Sequence, residues 1–88
     1  MKTFTCHNDP YHGWLQVSAQ DLREAGLAQE DFSRYNISYR DGDTFYLEED
    51  LDAGKFLVAL RSKGIKYQID DVFTDSESPI RAMQRIGG

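Results

Sequence analysis

Residues 37–64, ISYRDGDTFYLEEDLDAGKFLVALRSKG, predict a β-hairpin that leads directly into a helix. A two-residue Asp-Gly turn would scatter the apolar residues of the hairpin over both faces. A three-residue loop with Gly42 in the left-handed region instead pairs Ile37 with Phe45. We prefer this second register because a one-residue slip moves every side chain to the other face of a sheet. The core face that it predicts consists of Ile37, Tyr39, Phe45 and Leu47.

Apolar residues in the second half of this stretch recur at the spacing of one helix face. Asp50 or Asp52 is expected to cap the helix at its start, and Gly64 to end it. The predicted apolar face consists of Ala53, Phe56, Leu57 and Leu60.

The sequence before the hairpin predicts two strands and a short helix. Residues 2–7 and 12–17 are β-type runs, separated by the turn sequence Asn8-Asp9-Pro10. Ser18 and Asp21 have the spacing of a capping box, and Gly26 is a natural end for the helix they begin. Residues 28–35 could add a further helical turn.

A last strand over residues 65–73 completes the order β-β-α-β-β-α-β. This order predicts an α+β domain with a mostly antiparallel sheet and helices packed on one face. We place the domain at residues 1–75 and a C-terminal tail at residues 76–88, in which residues 80–86 could form a helical turn on a partner or on the sheet.

Composition indicates a cytoplasmic globular protein. The chain has 88 residues, a net charge of -5 and one cysteine, Cys6, which cannot form an internal disulfide. The negative charge argues against direct binding to nucleic acid or to anionic membranes. No apolar run approaches the roughly 20 residues that span a bilayer, and the first ten residues lack the apolar segment of a signal peptide.

The acidity is localised, since residues 41–77 hold ten acidic residues against four basic ones. Such a cluster of acidic residues can form a solubilising face, a patch that mimics protein or nucleic acid, or a metal or catalytic site. We take it as the candidate partner-binding surface. Its candidate residues are Asp41, Asp43, Glu48, Glu49, Asp50, Asp52, Asp70 and Asp71.

Two aromatic residues, Trp14 and Tyr46, fall on the sheet face opposite the predicted core. Exposed aromatic side chains on an open sheet face often mark an interface, so both are added to the partner-binding candidates. The alternative is that the N-terminal segment or the tail at residues 76–88 covers them.

Metal or nucleophilic chemistry has one candidate grouping, formed by Cys6, His7 and His12 with Asp9. It lacks the paired ligand spacing of structural zinc sites. Adjacent Cys6 and His7 would also point to opposite faces of a strand. We therefore expect no cofactor, no metal and no enzymatic activity, and keep a small metal-dependent or hydrolytic enzyme using His7 and His12 as the alternative.

Four short segments together resemble a group of small uncharacterised proteins of phages, plasmids and other mobile elements. The segments are HGWLQV at residues 12–17, ISY at 37–39, YLEEDLDA at 46–53 and SPIR at 78–81. The chain departs from the group at Leu51, where a small residue or cysteine is expected. The resemblance implies an accessory gene of a mobile element that acts against a host defence.

These observations favour a non-enzymatic interaction protein that binds a host or phage protein complex. Its concrete form is an acidic inhibitor of a nucleic-acid-handling defence complex, of the anti-CRISPR or anti-restriction type, that acts as a DNA mimic. A phage structural or regulatory subunit is a further alternative. An unpaired edge strand at residues 65–73 would also allow a homodimer.

Overall fold

A computed structural model describes residues 1–32, 38–76 and 78–86. The described residues contain two helices, six strands and two 3-10 turns, the turns at Gln29–Asp31 and Pro79–Ala82. The helices and strands are β1 (Lys2–Asn8), β2 (Gly13–Ser18), α1 (Ala19–Glu24), β3 (Tyr39–Asp41), β4 (Thr44–Glu48), α2 (Asp52–Ser62), β5 (Tyr67–Phe73) and β6 (Gln84–Arg85).

The strands form one sheet in the order β5-β1-β2-β4-β3-β6. Every neighbouring pair is antiparallel except β1 and β5, which are parallel. This confirms the predicted α+β class with its mostly antiparallel sheet. No helix among the described residues is long and apolar enough to cross a membrane.

Both helices pack on one face of the sheet, which carries the main core. Phe4 and Phe56 meet edge to face with ring centroids 5.3 Å apart, an arrangement that adds to their burial. From the predicted apolar face of α2, Ala53, Phe56 and Leu60 are buried, whereas Leu57 is half-buried. The 3.6-residue periodicity of this helix therefore predicted its buried side.

The capping box of α1 is confirmed. The Ser18 hydroxyl accepts a hydrogen bond from the Asp21 N–H at 3.0 Å, and the Asp21 carboxylate accepts one from the Ser18 N–H at 2.8 Å. Gly26 follows the helix with a φ of 76°, which glycine adopts without a steric penalty. Local sequence thus determines where α1 begins and ends.

The predicted acidic cap of α2 is wrong. Leu51 occupies the cap position and makes no side-chain cap bond. Asp52 is instead the first helical residue, and its buried carboxylate accepts a hydrogen bond from the Ser38 hydroxyl at 2.5 Å. A tertiary hydrogen bond has replaced the local cap.

The predicted three-residue hairpin loop is also wrong. Tyr39 pairs with Tyr46 and Asp41 with Thr44, so the loop is the two residues 42–43. Gly42 has a φ of 61°, as the first central position of a tight hairpin turn requires. Ile37 and Tyr35 lie outside the described residues, and Tyr39 lies on the face opposite Phe45 and Leu47.

The register argument failed because both faces of this hairpin are buried. Residues 78–86, here called the C-terminal segment, fold back across the second face. Ile80 packs there with Trp14 and Tyr39, and β6 pairs with β3. Ile86 instead joins the main core on the helix side and donates its N–H to the Ser38 carbonyl at 3.0 Å. The segment assigned from sequence to the tail thus contributes buried apolar residues and a strand.

Candidate protein-binding site

The loop between β1 and β2 is held in shape by the Asp9 carboxylate, whose side chain is fully buried. Its Oδ1 accepts the backbone N–H groups of Tyr11 and His12 at 2.9 and 2.8 Å. The other oxygen, Oδ2, accepts the Ser78 N–H at 3.1 Å and Nε of Arg81 at 2.7 Å. One carboxylate therefore orders the loop and fastens the C-terminal segment to it.

The Arg81 guanidinium supports both this carboxylate and the surrounding rings. Its hydrogen bonds are the main cause that lowers the pKa of Asp9 well below the usual aspartate range. Its central carbon lies 5.6 Å from the Tyr11 ring centroid and 5.2 Å from that of Trp14. Tyr11 is 71% exposed, so the cation–π contact holds an aromatic ring at the surface.

Beside Tyr11 lies a cleft of about 250 Å3, here called the acidic–aromatic cleft. Loop residues 8–13 form one wall, and Glu49 with Asp50, directly after β4, form another. Phe73, at the end of β5, completes the lining and is 78% exposed. The cleft thus combines two exposed aromatic rings with two exposed carboxylates.

The Glu49 carboxylate is positioned by close packing against the loop. Its backbone N–H donates to the Gly13 carbonyl at 2.9 Å. A Cβ at Gly13 would clash with the Glu49 carboxylate and would lie 2.5 Å from the Asn8 side-chain oxygen. Asn8 in turn donates to Asp71 at 3.2 Å, which brings a further acidic residue to this end of the sheet. Gly13 thus leaves the space that the Glu49 carboxylate occupies, and a larger residue there would displace the flexible ends of Glu49 and Asn8.

Two of the predicted partner-binding acids, Glu48 and Asp52, are buried and face the interior. The Ser38 hydroxyl joins them, since it accepts the Glu48 N–H at 2.8 Å and donates to Asp52. Burial is the main cause that raises the pKa of Glu48. Because they lack exposed surface, these two carboxylates are not positioned to touch a partner.

The remaining predicted acids are dispersed over the molecule. Asp41 ends β3 and Asp43 lies in the hairpin turn, at the opposite end of β4 from Glu49 and Asp50. Asp70 and Asp71 are consecutive residues of β5 and therefore point to opposite faces. Of the exposed acids, Glu49 and Asp50 line the cleft and Asp71 lies near it. The eight predicted acids do not form one continuous surface.

The predicted aromatic candidates lie on the expected sheet face. Trp14 is 0% exposed, because the C-terminal segment covers it. Tyr46 is half-buried, and its ring centroid is 5.8 Å from that of His7. The sequence had left this covering open as an alternative, and the structure corrects the expectation that Trp14 is an accessible interface residue.

Sequence reasoning missed the exposed rings of Tyr11 and Phe73. One signal was available in β5, where alternation places Asp71 on the same face as Ile69 and Phe73. An acidic residue on the predicted inward face indicates that the apolar cover ends before it. For Tyr11 the sequence offered only its place after Pro10 in a turn.

The structure does not bring together the predicted metal or nucleophilic grouping of Cys6, His7 and His12. Burial, together with the charges of Glu49 and Asp71, raises the pKa of the Cys6 thiol to about 11, so little thiolate is present at neutral pH. His7 forms a 2.7 Å hydrogen bond with Gln16 on the opposite sheet face. Within residues 1–32, 38–76 and 78–86, no three His, Cys, Asp or Glu side chains are grouped as metal ligands.

No protein-family model, curated protein or solved structure matches this chain. Exposed aromatic rings are enriched in surfaces that bind other proteins, whereas aspartate and glutamate are depleted there.

Proposed function

We propose that this chain is a non-enzymatic protein-binding domain whose acidic–aromatic cleft binds a basic segment of a partner protein. The observation that carries the proposal is the exposure of Tyr11 and Phe73 in the same cleft as Glu49 and Asp50. Large exposed aromatic residues are unfavourable in water, and in interfaces they provide much of the binding energy.

The chemistry of the cleft suits lysine and arginine. Their charged groups can pair with the Glu49 and Asp50 carboxylates while their apolar stems lie on the aromatic rings. Because the acids are exposed, salt will screen much of this attraction and slow the encounter. The aromatic contacts will be less sensitive to salt.

The loop is already ordered before any partner binds. Asp9 fixes the backbone at Tyr11 and His12, and Arg81 supports the Tyr11 ring. A site that needs little reordering loses less conformational entropy on binding. This preorganisation supports a binding role for a loop that would otherwise be free to move.

The resemblance to mobile-element proteins suggests the kind of partner. We propose a host complex that handles nucleic acid in defence, such as CRISPR interference or restriction, since its phosphate-binding grooves are rich in lysine and arginine. The cleft would occupy part of such a groove with Glu49 and Asp50. The dispersal of the other acids favours a short contact of this type over mimicry of a long stretch of DNA.

The experiment is capture of host proteins by tagged protein at two salt concentrations, with identification by mass spectrometry. The test variant is Glu49→Lys with Asp50→Lys, and the matched control is Asp41→Lys with Asp43→Lys, which changes the net charge equally. We expect salt-sensitive capture that the test variant loses and the control keeps. Equal capture by two folded variants would contradict the proposal.

A further inference from the structure

β5 forms one edge of the sheet, with β1 on its inner side and no strand on its outer side among the described residues. Lys2 donates its N–H to the Lys66 carbonyl at 3.1 Å, and Thr74 donates to the Asn8 carbonyl at 2.8 Å. Even-numbered residues therefore direct their backbone groups toward β1. Tyr67, Ile69 and the other odd-numbered residues direct theirs outward.

This edge differs from the other edge of the sheet. β5 has seven residues and no proline, whereas β6, at the far side, has two residues. Ile69 and Val72 on β5 are 39% and 47% exposed. A long open edge with exposed β-branched residues is a template for adding a strand.

We propose that two copies of this chain join through antiparallel pairing of β5 with β5, with Gln68 facing Gln68 of the second copy. In this register Tyr67 lies opposite Ile69 of the second copy, and the outward backbone groups of both residues exchange hydrogen bonds. Aromatic and β-branched residues are a favourable cross-strand pair. The twofold axis repeats each contact.

Charge complementarity selects this register. Lys66 lies opposite Asp70 of the second copy, which gives two symmetric ion pairs of opposite charge. Registers centred on Asp70 or Asp71 would instead place identical carboxylates face to face. A register centred on Ile69 would leave Lys66 opposite Val72, without a charged partner. The acids of β5 thus disfavour registers centred on Asp70 or Asp71.

The helix side of the same edge offers a second complementary feature. Arg61 donates to the Tyr67 hydroxyl at 2.7 Å, and both line an adjacent groove of about 480 Å3. The proposed register brings Ile69 and Asp71 of the second copy toward this groove. Ile69 would cover its apolar lining, and Asp71 would lie within reach of Arg61.

Cysteine cross-linking tests the register directly. Gln68 and its copy form a non-hydrogen-bonded pair, whose Cα separation of about 4.5 Å suits a disulfide. We expect Gln68→Cys to form a covalent dimer under mild oxidation and Asp70→Cys to remain uncrosslinked. The native Cys6 is buried and serves as background in both proteins. Efficient cross-linking of Asp70→Cys without Gln68→Cys would overturn the register.

Charge exchange tests the ion pairs in solution by sedimentation equilibrium. Lys66→Glu or Asp70→Lys alone should weaken the dimer at least about tenfold, and the double variant should restore most of the loss. Asp43→Lys, far from β5, should leave the dissociation constant unchanged. Wild-type protein that remains monomeric at high protein concentration would overturn the proposal.

The proposed dimer and the proposed binding at the cleft can be contradicted independently of each other. Self-association is measured with purified protein alone, whereas cleft binding needs a captured partner. Glu49→Lys with Asp50→Lys should abolish capture and leave the dimer intact, because the proposed pairing ends at Asp71.

Discussion

The two faces of the sheet are covered in different ways. The helix side is filled by apolar residues of α1 and α2, such as Leu22, Phe56 and Leu60. The opposite side is covered by the C-terminal segment, which packs Ile80 on Trp14 and is fastened by the Asp9–Arg81 ion pair. One face therefore depends mainly on buried area, whereas the other combines a small apolar contact, the pairing of β6 with β3 and the Asp9–Arg81 ion pair.

This difference predicts different responses to mutation, pH and salt. The stabilisation from hydrophobic burial does not depend on protonation, whereas the stabilisation from an ion pair does. The single tryptophan, Trp14, reports on the face covered by the C-terminal segment, because its fluorescence shifts when it meets water. Far-UV circular dichroism reports on the helices of the other face.

Truncation in the helix-side core should have the largest effect. Phe56→Ala removes a fully buried ring that contacts Phe4, and we expect a loss of about 3–5 kcal/mol in the free energy of unfolding. Urea unfolding followed by circular dichroism measures it. Val58→Ala, at an exposed position of the same helix, is the control and should change stability by less than about 0.5 kcal/mol. A loss no larger than that of the control would contradict this account of the core.

Loss of the Asp9–Arg81 ion pair should have a smaller and more local effect. Asp9→Asn leaves the Arg81 charge without its carboxylate, and we expect a loss of about 2–3 kcal/mol, less than for a fully buried pair because Arg81 is partly exposed. Trp14 fluorescence should move to longer wavelength while helical circular dichroism is retained. Asp75→Asn, an exposed substitution of the same kind, should change neither signal.

Acid should detach the C-terminal segment before it unfolds the helix side. The folded-state pKa of Asp9 is lowered, so its contribution to stability is present above the ordinary aspartate pKa of about 3.9 and is lost as pH falls toward the folded value. We expect Trp14 fluorescence to change below about pH 4 in the wild type. In Asp9→Asn this acid transition should be absent or much reduced. If the acid transition of Trp14 fluorescence were unchanged in Asp9→Asn, other carboxylates would be responsible for it.

Substitution of Glu48 should have the smallest effect on stability. The pH dependence of its contribution has the opposite sign to that of Asp9. Burial raises its folded-state pKa, so its contribution is favourable below the ordinary glutamate pKa of about 4.3 and is lost as pH rises through the folded value. Glu48→Gln should therefore stabilise the protein at neutral pH, by less than about 1 kcal/mol. Thermal unfolding at pH 7 and pH 4 measures this difference. Destabilisation at pH 7 would show that the carboxylate charge is needed there.

The parts of the fold that were predictable from sequence are those with local signals. The apolar spacing of α2 identified Phe56 and Leu60, and Ser18 with Asp21 identified the start of α1. These patterns depend on residues three or four positions apart. They gave the α+β class without knowledge of tertiary contacts.

The hairpin register was not predictable in the same way. A register derived from side-chain alternation assumes that only one face of the hairpin is buried. Tyr39, however, is buried on the second face by the C-terminal segment. Ser38 likewise takes Asp52 away from a capping role. Both corrections come from contacts between elements distant in the chain.

The candidate site was found only in part. The sequence identified Glu49 and Asp50, but it grouped them with acids that the fold buries or disperses. Asp9 was recognised as a turn residue, whereas its ion pair with Arg81 joins positions 72 residues apart. Composition records charge, but only tertiary structure decides which charges share a surface.

The most direct test of the protein-binding proposal is parallel capture from one host lysate by the wild type and by Tyr11→Ala with Phe73→Ala. Both rings are exposed, so the variant should fold with unchanged circular dichroism. We predict proteins that the wild type captures at low salt and that the variant loses. The same proteins captured in equal amounts by both, or none captured by the wild type, would contradict the assignment of the acidic–aromatic cleft as the binding site.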